Sequence, residues 1–178
     1  MGTDDAQDWA LARAGQGEAF GRIFDRHRDR VFRHGLRLVD GVSDADDLVA
    51  ITFLEAWRRR DDLRLVDGSV LPWLLVTATN ASHNLRRAAR RHRALLSRLP
   101  TDPHAPDHAD RFDDGEAHRA LQRLALRDRQ VLTLCVLEGF SERDAASALG
   151  VPPGTIKSRL ARARARLART YEGVLREA

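Results

Sequence analysis

The stretch Ser141–Leu167, SERDAASALGVPPGTIKSRLARARARL, decides how the C-terminal part of the chain reads. Ser141 stands where a helix N-cap belongs, and Asp144, three residues on, takes the carboxylate position of a capping box. Gly150 follows the apolar Leu149, where a helix end favours a residue that tolerates positive φ. Pro152 and Pro153 then stop any continuation. A second helix follows, with Ile156, Leu160, Ala163 and Leu167 on one side at helical spacing. Arg159, Arg162, Arg166 and Arg169 line another side, with Thr155 and Ser158 near its start. From 152 to 170 there are six cations, Lys157 among them, and no acid. A merely solvated amphipathic helix, the plain alternative, normally mixes both signs. The pattern predicts a short helix, a tight turn and a basic helix that packs on a small bundle and offers its other face to a DNA groove.

Working outward, the chain has 178 residues, enough for one domain or two small ones, and its 43% apolar share can bury a core. Long β-branched runs and alternating segments with hairpin turns are missing, so the expectation is all-α. The net charge is only +4, but it is unevenly spread. Arg86, Arg87, Arg90, Arg91, Arg93 and Arg98 form one basic block and the 152–170 helix a second. Between them lies an acidic stretch with Asp102, Asp107, Asp110, Asp113, Asp114 and Glu116. Two separated basic patches suggest two contacts with a polyanion. The single cysteine, Cys135, excludes an internal disulfide and a cysteine-rich zinc site; in the run VLTLCVL it reads as a core residue. The acidic N-terminus has no apolar signal region, and no run is long enough to span a membrane. The expectations are therefore a cytoplasmic protein with no cofactor, no metal and no membrane insertion.

The first 38 residues read as a short helix around Trp9 and Leu11 ending near Gly15, then a longer one with Phe20, Ile23, Phe24, His27, Val31 and Leu38 on one face. His27 has no second ligand at metal spacing and reads as a core-edge histidine. Ser43 is expected to open the next helix, whose stripe is Ala45, Leu48, Val49, Thr52, Phe53, Ala56 and Trp57. Ile51 and Leu54 fall off that stripe and form a second apolar strip, suited to a partner or to another helix of the same domain. Asp61–Ser69 reads as a loop. Pro72 then suits the first turn of a helix running from Trp73 to about Arg93. An aromatic, then amides (Asn80, Asn84), then arginines is a plausible nucleic-acid surface, in which amides read bases and arginines hold phosphates. Leu99–Gly115 reads as a flexible linker, and 116–138 as two further helices.

Taken together these segments resemble a bacterial RNA polymerase sigma factor of the sigma-70 family, extracytoplasmic-function (ECF) subfamily. The resemblance rests on DADDLVAITFLEAW (44–57), PWLLVTATN (72–80) and the arginine block, followed by LEGFSERDAASALGVPPGTIKSRLARARARL (137–167). It implies two small helical domains: region 2 over 1–95 and region 4 over 116–178, joined by a flexible acidic linker over 96–115. The implied partners are core RNA polymerase, at its clamp helices and flap, promoter DNA, and an anti-sigma factor or other regulator. Asp46, Asp47, Ile51, Leu54 and Arg58 would meet the clamp. Asp67, Ser69, Trp73, Asn80, Asn84, Arg86 and Arg87, from the 60–71 loop and the helix after it, would meet the −10 element. Thr155, Lys157, Ser158, Arg159, Arg162 and Arg166 would read the −35 element. The chain departs from the family pattern at Ala50 and Ile51, where many relatives carry a polar pair, and at Val76, where an arginine is common.

Two other readings compete. A stand-alone helix-turn-helix regulator, with an N-terminal ligand-sensing or dimerising domain, would have no need of 44–57 and 72–93. An enzyme would need a nucleophile–base pair, metal spacing or a phosphate loop, and GVPPGTIKS lacks the GK[ST] of a P-loop. The charge layout adds one expectation: the two domains fold back on each other, and free protein binds DNA poorly until polymerase holds both at promoter spacing.

Overall fold

The computed structural model describes residues 5–96 and 116–177. The linker expected over 96–115 lies, apart from Leu96, outside them, as does Arg98 of the arginine block. Among the described residues, eight α-helices occur in the order α1 (Asp5–Arg13), α2 (Gly17–Leu36), α3 (Val42–Arg58), α4 (Leu71–Leu96), α5 (Glu116–Arg123), α6 (Leu126–Leu132), α7 (Glu142–Leu149) and α8 (Pro153–Glu177). A π-helical turn, Thr133–Leu137, follows α6 directly. Among the described residues the only β pairing is an isolated bridge between Val66 and Ser69.

Helices α1–α4 enclose the first core. Ile23 and Val31 of α2, Ala45, Leu48, Phe53 and Ala56 of α3, and Leu74 and Ala78 of α4 are all buried in it. The α3 stripe is the expected one, with Thr52 buried as well. Phe20 and Phe24 of α2 interlock with Phe53 and Trp57 of α3, with ring centroids 5.1 Å apart for Phe20–Trp57 and 4.7 Å for Phe24–Phe53. Helices α2 and α3 come close at Gly35, where an added Cβ would sit 3.2 Å from Leu48 Cδ2. The start of α3 differs from the sequence expectation. Val42 opens the helix with Gly41 as the N-cap, and no side chain caps it. The extended backbone at Gly41, φ −156°, turns the chain one step before Ser43 could.

Helices α5–α8 build the second domain. Ser141 Oγ accepts from the Asp144 backbone N–H at 3.1 Å, and its hydroxyl donates to the Asp144 carboxylate at 2.6 Å. Gly150 adopts φ +63°, the left-handed conformation that ends α7. Ile156, Leu160 and Ala163 of α8 are buried against this bundle.

The two domains are docked through an apolar cluster and a set of hydrogen bonds. Leu75 of α4 is fully buried in the same cluster as Val131, Leu134, Ala145 and Ile156, with Leu71 and Val76 packed against it. Burying a leucine this completely stabilises the arrangement by about 1.5–3 kcal/mol. Glu138, just after the π turn, inserts its carboxylate among Arg30 and His34 of α2 and Arg37, the residue that follows that helix. Arg30 Nε donates to Oε2 at 2.6 Å, Arg37 Nη1 to Oε1 at 2.8 Å and His34 Nδ1 to Oε1 at 3.1 Å. Gln130 Nε2 donates to Asn80 Oδ1 at 2.6 Å, and Gln122 Nε2 to the Leu38 carbonyl, also at 2.6 Å.

Candidate polymerase and nucleic-acid interfaces

The outer face of α3 is built by the period that buries the other face. Asp46, Asp47, Ile51, Leu54 and Arg58 are all exposed. Ile51 and Leu54 are 38% and 59% exposed although both are large and apolar. The second strip is therefore not core of the same domain.

Beside it runs a groove of about 340 Å³ between α3 and α4. Ile51, Glu55 and Arg59 line one wall, and Trp73, Asn80 and Asn84 the other. Arg59 is paired with Glu55. The structure thus brings Trp73, Asn80 and Asn84, expected on the −10 surface, onto one groove with Ile51 of the polymerase strip. Trp73 is half-buried against the first core, so it is both a packing residue and a groove wall. Asn80 is engaged by Gln130 of the second domain. Arg86 and Arg87 follow just under two turns beyond Asn80 along α4, with Arg87 exposed.

Asp67 and Ser69 do not line the groove. They belong to a turn in which Asp67 and Gly68 take φ +50° and +75°. Positive φ at both central residues is the mark of a type I′ turn, for which Asp-Gly is a preferred pair. Val66 and Ser69 exchange both backbone hydrogen bonds, at 2.9 and 3.0 Å, and leave the Asp67–Gly68 tip exposed. Ser69 faces inward, where its hydroxyl donates to the Asp5 carboxylate at 2.8 Å.

On α8, Lys157 and Ser158 are exposed and Thr155 and Arg159 half-buried. Arg162 and Arg166 lean back toward α6. Their guanidinium groups reach the buried carboxylate of Asp128 at 3.6 and 3.3 Å. The helix therefore divides its cations. Lys157 and Arg159 lie near its N-terminus, while Arg162 and Arg166 tie α8 to α6.

Sequence reasoning missed three acids: Asp5, Asp128 and Glu138. Each is buried, with its carboxylate hydrogen-bonded to partners 21 to 65 residues away in the chain for Asp5, 38 for Asp128 and more than 100 for Glu138. Only Glu138 left a signal, as a lone acid closing the apolar run Val131–Leu137. Burial pushes its carboxyl up, but the hydrogen bonds from His34 and Arg30 win and hold it at about 2. The hydroxyl of Thr79 donates to the Leu75 carbonyl at 2.8 Å, and its oxygen stands 3.0 Å from His34 Nε2. His34 thus links the Glu138 carboxylate to Thr79 through its two ring nitrogens.

A mostly apolar strip on one helix, an adjoining groove with an aromatic and amides, and a basic helix-turn-helix on a second domain define a DNA-binding protein that also docks on a protein partner. Comparison with known proteins places it. Residues 23–92 match the family Sigma-70 region 2, and residues 114–167 match Sigma-70, region 4. The chain is 34% identical over 177 residues to the RNA polymerase sigma factor NccH of Alcaligenes xylosoxydans xylosoxydans, covering 93% of this chain and 95% of that one. It is 38% identical over 172 residues to the ECF RNA polymerase sigma factor SigM of Mycobacterium tuberculosis, covering 93% and 83%. Among solved structures it is similar to CnrH in complex with the cytosolic domain of CnrY, with a TM-score of 0.67 and 27% identity over 96% of this chain and 99% of that one. It is also similar to the sigma factor RpoE bound to the anti-sigma factor NepR from Bartonella quintana, with a TM-score of 0.59 and 28% identity over 86% and 96%. The chain belongs to the sigma-70 family, as an ECF RNA polymerase sigma factor. Its function is to bind core RNA polymerase and direct promoter-specific transcription initiation.

Proposed function

We propose that the three surfaces divide the work of initiation as follows. Asp46, Asp47, Ile51, Leu54 and Arg58 of α3 dock on the polymerase clamp. The Asp67–Gly68 turn, which Ser69 anchors from the inner side, and the α4 residues Trp73, Asn80, Asn84, Arg86 and Arg87 engage the opened −10 element. The start of α8, with Thr155, Lys157, Ser158 and Arg159, reads the −35 element, while Arg162 and Arg166 hold phosphates and the fold together. Residues 1–95 and 116–178 act as the two domains, and 96–115 as the tether. The observation that carries this reading is the groove. It joins an exposed apolar strip to an aromatic and two amides, which suits unstacked bases held against a protein partner. The factor works in the cytoplasm, without catalysis of its own, and an anti-sigma factor binds it, as NepR is bound to the similar RpoE.

Transcription by reconstituted holoenzyme tests the −35 assignment. Arg159→Ala is expected to cost about 1–3 kcal/mol of promoter binding and to relax base preference at one −35 position. Lys157→Ala should weaken all templates alike and flatten the salt dependence. An Arg159→Ala factor with wild-type strength and base preference on every template would remove this helix from the −35 element.

A further inference from the structure

Asp5 opens α1, far in sequence from any DNA-facing residue, yet it is fully buried and sits at the foot of the Asp67–Gly68 turn. Its Oδ2 accepts from Ser69 Oγ at 2.8 Å and from the Val70 backbone N–H at 3.1 Å. Its Oδ1 accepts from Arg26 Nη1 at 2.6 Å, and His27 Nε2 lies 2.8 and 2.9 Å from the two oxygens. Ser69 Oγ in turn accepts from the Leu71 backbone N–H at 3.2 Å, at the first residue of α4. One carboxylate therefore fixes both the exit of the turn and the start of the helix that carries Trp73.

We infer that Asp5 is a positioning residue for promoter recognition: through Ser69 and Val70 it holds the exposed Asp67–Gly68 tip and the first turn of α4 in the arrangement that reads the −10 element. The inference rests on the reading of that turn and helix as the −10 surface. The tip is held from its inner side. Asp67 keeps a positive φ that non-glycine residues rarely adopt, and both tip residues are in solvent. Its inner anchors are the Val66–Ser69 bridge and the bonds to Asp5. A recognition element displaced by an ångström loses specificity long before the fold is lost. Arg26 and His27 come from α2, so Asp5 is itself held rigidly before it holds the turn. Asp8 does a different job on α1. It pairs with Arg22 and Arg26 at 2.7 Å each and has no bond to the turn.

The test uses holoenzyme assembled from core polymerase and the full chain, transcribing a duplex library randomised across the −10 and −35 elements, with the transcripts sequenced. Asp5→Asn is expected to lower −10 base discrimination by about tenfold while leaving −35 preference and co-purification with core polymerase unchanged. Ser69→Ala, which leaves the bonds from Arg26 and His27 in place, is expected to do the same more mildly and decides the matter if Asp5→Asn does not fold. The double variant should be no worse than Asp5→Asn alone, because the Ser69 hydroxyl holds the turn only while Asp5 holds the hydroxyl. Effects that multiply would give Ser69 its own contact with DNA and overturn the coupling. A uniform loss across all templates would make Asp5 a stability residue only and overturn the inference. Asp67→Ala separates this from the underlying reading. If Asp67→Ala shifts −10 preference and the other two variants do not, the turn reads the promoter without help from Asp5. If none of the three shifts it, the turn is not the −10 reader, and the role of Asp5 falls with it.

Discussion

The Glu138→Ala protein, free of polymerase, is expected to be more extended in small-angle scattering than the wild type and to bind promoter DNA more tightly. A compact chain of this length has a radius of gyration of about 16 Å, or a span of roughly 40 Å. By their names the −10 and −35 elements stand roughly 25 base pairs apart, about 85 Å along the helix axis. The docked arrangement cannot reach both, and it also occupies Asn80 through Gln130. Removing the Glu138 carboxylate leaves His34, fully buried, facing an empty site. Arg30 and Arg37 are half-exposed and regain water, so the loss falls near the low end of the usual range for a broken buried pair, at about 3 kcal/mol. Acid should act on the wild type in the same direction. The folded value of about 2 lies below the ordinary 4.5, so the carboxylate stabilises docking fully above about pH 4.5 and loses its effect as pH falls toward 2. Glu138→Gln should lack that step. The difference between the two proteins separates Glu138 from Asp5 and Asp8, whose carboxyls are also held low by their partners. Identical scattering profiles for wild type and Glu138→Ala would show that the apolar contacts of Leu71, Leu75 and Val76 hold the domains together alone.

Leu54→Asp and Leu48→Ala, six residues apart on one helix, should fail in opposite ways. Leu48 is fully buried, and cutting it to alanine is expected to destabilise the first domain by about 2–5 kcal/mol, visible as a lowered midpoint in thermal circular dichroism. Leu54 is 59% exposed, so a carboxylate there meets water and the helix should stay folded. Co-purification with core polymerase is expected to vanish for Leu54→Asp, because an unpaired charge would have to be buried at the clamp. Ile51→Asp should behave the same way, with added loss at the groove it lines. A folded Leu54→Asp protein recovered with polymerase at wild-type yield would remove the strip from the interface.

What could be read from the sequence was local. Ser141, Asp144 and Gly150 announced the boundaries of α7 because capping and positive φ act within a few residues. The α3 stripe announced its own buried face because helical period is a property of one segment. The same argument left Ile51 and Leu54 outside, and they are outside. Asp5, Asp128 and Glu138 were invisible for the converse reason. A buried acid is decided by cations that another helix delivers, and nothing within four residues of Glu138 foretells Arg30, His34 and Arg37. The misplaced start of α3 has a different cause. Ser43 is the better capping residue by type, but the extended backbone at Gly41 had already turned the chain into the helix. Among the residues expected at the −10 element, the sequence could not tell that Ser69 turns inward to Asp5 while Asp67 stands in solvent.

The π turn at Thr133–Leu137 gives the chain an unusual sensitivity to length. It closes with the Glu138 N–H on the Thr133 carbonyl, five residues back, so one more residue is accommodated than an α-turn would hold. A substitution there changes one side chain. Deleting a single residue would let the segment relax into ordinary helix and swing everything beyond it by about 100° about the axis of α6. Glu138 would leave α2, and α7 and α8 could no longer keep both their own core and their place beside α4. Divergence in this short segment is thus expected to proceed by exchange of residues at constant length, while gaps accumulate elsewhere in the chain.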